Sequence, residues 1–147
     1  MPGLIESAAR LDPPYGEALG RIWLALGVTT VADPCSDAYT SLETRESYDA
    51  GRRMGPRVLI GGDPFAGTRV LETGGVSIGS PQQLEMALIR AMRLGYDFFS
   101  TYVRLPDSYQ ERVIAYAHDQ GLTFPVRCRC VAPLARFAAA ARVRPVS

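Results

Sequence analysis

The sequence contains no lysine and only one histidine, His118; all sixteen of its basic residues are arginine. Chemistry that needs a lysine is therefore excluded, and so is any metal centre built on several histidines. No run of eighteen apolar residues occurs, so no membrane-spanning helix is expected. Three cysteines in 147 residues do not make a disulfide framework. The opening apolar stretch, residues 1–5, is short and meets Glu6 at once, which is not the pattern of a secretory signal. A reducing, cytoplasmic setting is the expectation. Nucleotide-phosphate loops, nucleophile elbows and paired-histidine zinc helices each have a sequence signature, and none of these is present.

What remains is an ordinary globular composition, 47% hydrophobic and 21% charged. The length suits one domain with a real core. Charge is uneven. Residues 1–122 carry eleven arginines against fifteen acids; residues 123–147 carry five arginines and no acid, and are rich in Ala, Val and Pro. We read 1–122 as the body and 123–147 as a basic, compositionally distinct segment. Its aromatic content is thin, Phe124 and Phe137 only, so a nucleic-acid footprint is not expected.

Short β-branched runs alternate with amphipathic stretches along the body. Strands are expected at 3–7, 28–32, 57–60 and 97–103. Helices are expected at 14–26, 40–53, 81–94 and from Asp107, as N-cap, to 120. In the first helix Leu19, Ile22, Trp23 and Leu26 recur at spacings of three and four. Ser80 and Pro81 supply an N-cap and a first-turn proline for the third. Gly27, Gly95 and Gly121 stand where helices should stop. Residues 63–79 hold four glycines and no helical period, and read as a long loop. A fifth strand at 122–128 and an alanine-rich helix at 131–143 complete the expectation. This alternation predicts an α/β fold with parallel strands. A full (β/α)₈ barrel needs about 250 residues, so the expected fold is a partial barrel or open parallel sheet of about four βα units. Open strand edges and an uncovered apolar face predict a homo-oligomer.

Four short motifs carry a family likeness. Residues 2–11, PGLIESAARL, resemble the opening barrel strand of the metal-dependent amidohydrolase superfamily, whose pattern is Pro-Gly-Leu-Ile-Asp-x-His-x-His. The GVTTV at 27–31, the GPRV at 55–58 and the GYDFFS at 95–100 resemble its second, third and fourth strands. The likeness spans residues 1–122 and implies the N-terminal half of a (β/α)₈ hydrolase barrel. The departures fall on the residues that the family uses for metal. Ala8 and Arg10 stand where the paired histidines would be, and Ser100 stands where many members place a bridging carboxylated lysine. The continuation from 123, TFPVRCRCVAPLARF, has no histidine. That break, at the point where composition changes, is what a shift of reading frame produces.

A hydrolytic metal site needs about three protein ligands and an open position for water. An arginine at a ligand position would put a fixed positive charge where the cation belongs. The remaining ligand candidates are Asp12, Asp33 and Asp63, a hard carboxylate set suited to Mg²⁺ or Mn²⁺; the simpler role for carboxylates beside turns is loop capping. His118 falls near a helix C-terminus, where the dipole favours a cation, and reads as a surface residue. Cys128 and Cys130 form a C-x-C pair, too few thiolates for a soft-metal site. The expectation is thus an amidohydrolase-like chain with no catalytic residues, cofactor or intact metal site. Two alternatives stay open: an amide (C–N) hydrolase using carboxylate ligands, and an interaction module whose basic segment binds an anionic partner.

Overall fold

The computed structural model describes residues 2–11, 18–68, 75–102 and 104–122. Among the described residues nine elements follow one another: β1 (Leu4–Glu6), α1 (Ala18–Ala25), β2 (Val28–Asp33), α2 (Ala38–Asp49), β3 (Arg57–Ile60), β4 (Phe65–Ala66), β5 (Val76–Ser77), α3 (Pro81–Arg93) and α4 (Asp107–Asp119). The strands β1, β2 and β3 lie in that order in one parallel sheet, and β4 and β5 form a second parallel pair. The register sets Thr30 beside Arg57, Val31 beside Val58, Ala32 beside Leu59 and Asp33 beside Ile60. The fold is α/β, an open parallel sheet of about four βα units, as the alternation in the sequence implied.

Side chains alternate across a strand, and the two faces of this sheet differ. Val31, Asp33, Val58 and Ile60 are buried, whereas Thr30, Ala32 and Leu59 are only partly covered and Arg57 is exposed. Val31, Val58 and Ile60 of that row belong to one core with Leu84 and Leu88 of α3 and Val113 and Ala117 of α4. Those helical residues lie four apart, so each pair points the same way off its helix. Each buried Leu or Val side chain contributes about 1.5–3 kcal/mol through the area it removes from water.

Helix ends follow the local chemistry. The Ser80 hydroxyl accepts from the Gln83 backbone N–H at 3.2 Å, and the Gln83 side chain accepts from the Gly79 N–H at 2.8 Å. Two otherwise unpaired donors at the start of α3 are thereby satisfied. In α2 the cap is Asp37, which accepts from Thr40 N–H at 2.9 Å and starts the helix two residues before the expected position. In α4 the expectation needs correction: Asp107 is the first helical residue, Pro106 is the N-cap, and no side chain caps the end. An acid in the first turn still suits the helix dipole.

Two further corrections concern strands. Residues 97–102 form no strand; their one ladder contact is an isolated parallel bridge from Thr101 to Phe65. The cause is Asp97. Its Oδ2 accepts the Ile60 N–H at 2.8 Å, while its own N–H donates to the Ile60 carbonyl at 2.9 Å. A side chain takes the bond that a neighbouring strand's carbonyl would have taken. Farther on, Ser100 and Tyr102 exchange backbone bonds with Phe65, so the segment divides its pairing between β3 and β4. Conversely, the expected loop at 63–79 contains β4 and β5, paired to one another through Phe65–Val76 and Ala66–Ser77. The first helix begins in the described residues at Ala18, and the elements expected beyond 122 lie outside them.

The sheet is not equally open at its two sides. At β1, Leu4 and Ile5 are 60% and 71% exposed, and Ile22 of α1 and Leu26 just past it are 49% and 64% exposed. Residues 98–101, at the opposite side, are all buried.

Candidate site at the strand ends

The C-terminal ends of β2 and β3 and the segment 97–101 gather the polar residues of the core. Asp33 closes β2 and is fully buried. Its Oδ1 accepts from the Ser36 hydroxyl at 2.8 Å and the Cys35 N–H at 3.3 Å. Its Oδ2 accepts from the Ser41 hydroxyl at 3.1 Å and the Leu11 N–H at 3.4 Å. A buried carboxylate is costly to desolvate unless donors surround it, and four do so here. Because Asp33 shares a face with Val31 and reaches Ser41 of α2, it points into the layer between sheet and helix. It ties the turn after β1 and the start of α2 to the end of β2.

Asp63 lies three residues past β3, in the buried run 61–67. Its Oδ1 accepts from the Ala38 N–H at 3.2 Å, and its Oδ2 lies 3.7 Å from Arg90 Nη1. Burial pushes the Asp63 carboxyl above its ordinary range. The Ala38 N–H opposes that, the Asp37 charge adds to it, and Arg90 draws it back. Arg90, on α3, also stacks over the Tyr39 ring at 5.7 Å. The Tyr96 hydroxyl accepts from the Asp63 N–H at 3.2 Å. Burial, the largest cause, pushes the Tyr96 phenol up to about 12, so it remains a neutral hydroxyl at physiological pH. Asp63 is therefore a junction of β3, α2 and α3.

The remaining candidates are dispersed. Ala8 and Arg10 are exposed, flanking buried Ala9. Ser100 is buried and donates to the Pro34 carbonyl at 2.6 Å. A serine hydroxyl engaged with a carbonyl braces the turn after β2. His118 is exposed near the C-terminus of α4. Cys35 is half-buried beside Asp33. Asp12, Cys128 and Cys130 lie outside the described residues. Among the described residues, no group of three or more His, Cys, Asp and Glu side chains could hold a metal ion. Asp33 and Asp63 are each engaged separately, one by hydroxyls and amides, the other by an amide and a guanidinium. The donor set does not fit the metal centre that the family likeness implies.

The sequence reading missed the partners of both aspartates. Ser36 and Ser41 were legible as the small hydroxyl residues that collect around an Asp at a strand-to-helix turn. Tyr96 and Arg90 were not, because they lie 33 and 27 residues from Asp63 and meet it only through the fold.

No family model matches the sequence, and no curated protein matches it. Solved structures do. A protein from Bifidobacterium longum assigned as a prolidase superposes with a TM-score of 0.76 at 21% identity, over 95% of this chain and 38% of that one. A Xaa-Pro dipeptidase with methionine bound in its active site gives 0.70 at 15% identity, over 85% of this chain and 42% of that one. A bottromycin amidohydrolase gives 0.68 at 15% identity, over 84% of this chain and 27% of that one. The chain spans less than half the length of each of these three structures. The chain thus shares the fold of these structures, and its described residues include no cluster able to hold a metal ion.

Proposed function

We propose that this chain is a catalytically incompetent amidohydrolase-like module, one that keeps the family's βα scaffold and has lost its metal chemistry. The observation that carries the reading is the set of residues at the likeness's ligand positions: Ala8, Arg10 and Ser100. Alanine offers no donor atom. Arginine is a permanent cation and repels a metal ion. The Ser100 hydroxyl is spent on the Pro34 carbonyl. Activating water by a Lewis acid is the core of such hydrolysis, and a pocket alone does not replace it. The alternative, a C–N hydrolase with carboxylate ligands, draws no support from Asp33 or Asp63, because each is committed to bracing the backbone. Metal analysis of chelator-free protein, paired with an amide and ester hydrolysis screen, tests the reading; stoichiometric metal with activity abolished by chelation overturns it.

Self-association belongs to the same reading. The β1 edge supports it, since Leu4 and Ile5 lie largely in solvent on a strand that pairs with β2 on one side and, among the described residues, with no strand on the other. Among the described residues no helix is long and apolar enough to cross a membrane, and a cytoplasmic location is proposed on the cysteine usage. The division into 1–122 and 123–147 is likewise proposed, on composition. Translating the gene in all three frames past residue 122 tests its origin: a family-like continuation in another frame supports a frame change. The interaction-module alternative places binding on the basic segment, and predicts affinity for polyanions that falls steeply with salt.

A further inference from the structure

No further inference is drawn: the strongest candidate, the exposed apolar side chains Leu4 and Ile5 of β1, Ile22 of α1 and Leu26 just past it, carries nothing beyond the self-association already proposed, because nothing in the structure shows what covers it.

Discussion

The Asp33 carboxylate accepts a hydrogen bond from the Ser41 hydroxyl across 3.1 Å, from the end of β2 to the first turns of α2. The direction of that bond decides what the aspartate is for. It turns the one fully buried acid of the described residues toward α2, and with Leu11, Cys35 and Ser36 the Ser41 hydroxyl makes four donors that hold it; among the described residues no group of three or more His, Cys, Asp and Glu could hold a metal ion.

Replacing Asp33 with Ala should destabilise the protein severely, by about 3 kcal/mol or more, because two hydroxyls and two amides lose a buried acceptor. Ser41→Ala removes one bond from the same network and should cost about 1–2 kcal/mol. Urea unfolding of the two variants measures both. Equal, small effects would mean that water reaches this carboxylate.

Asp63 predicts a pH signature. Its carboxyl is raised from the ordinary value of 3.8, chiefly by burial. The native state therefore holds this proton to higher pH than the unfolded chain does. The stability it contributes is fully present below the unfolded value, and is lost as pH rises through the native one. Relative to Asp63→Asn, the wild-type protein should lose stability as pH climbs from about 3 towards neutrality. Unfolding midpoints of the pair across that range check it. A difference that grows in favour of wild type with rising pH would show that Arg90 and the Ala38 N–H outweigh burial.

Gly62 has φ of 55°, and a Cβ there would run into the Tyr96 ring; Gly51 has φ of 67° with open space around it. Gly51→Ala should thus cost about 1 kcal/mol, the backbone penalty alone. Gly62→Ala carries that penalty and must also displace Tyr96 from the Asp63 N–H, for a total of about 2–4 kcal/mol. Thermal unfolding of both variants separates the two contributions. Matched losses would mean that Tyr96 moves aside freely.

At the β1 edge, Ile5→Lys should reduce self-association and leave the fold intact, since a charge on an edge strand opposes pairing. Light scattering during size exclusion across micromolar concentrations is the readout. A wild-type protein that stays monomeric throughout would remove self-association from the account.

The βα order was legible because it rests on local signals: β-branched runs, Ser80 before Pro81, and glycines at 27, 95 and 121, whose φ values are 79°, 71° and 71°. Residues 97–103 read as a strand for equally local reasons, aromatic and β-branched content. What broke that strand was not local. Asp97 reaches 37 positions back to the Ile60 N–H, and Arg45 Nη1 donates to the same carboxylate oxygen at 3.1 Å. The polar junctions failed to show for the same reason. The sequence marks Asp33 and Asp63 as acids after strands, but whether such an acid faces a ligand or a helix depends on strand register. The residues at the likeness's ligand positions, by contrast, needed no structure to judge: Ala8 and Arg10 offer no metal donor by residue type, and Ser100 is not the lysine that the likeness expects.

The most direct test of the central claim is the metal content of the purified protein, measured by inductively coupled plasma mass spectrometry after exposure to Zn²⁺, Mn²⁺ and Mg²⁺ and exhaustive dialysis without chelator. The account predicts far less than one ion of any of the three per chain. One tightly held ion per chain, resistant to dialysis and lost together with hydrolytic activity on chelation, would contradict it.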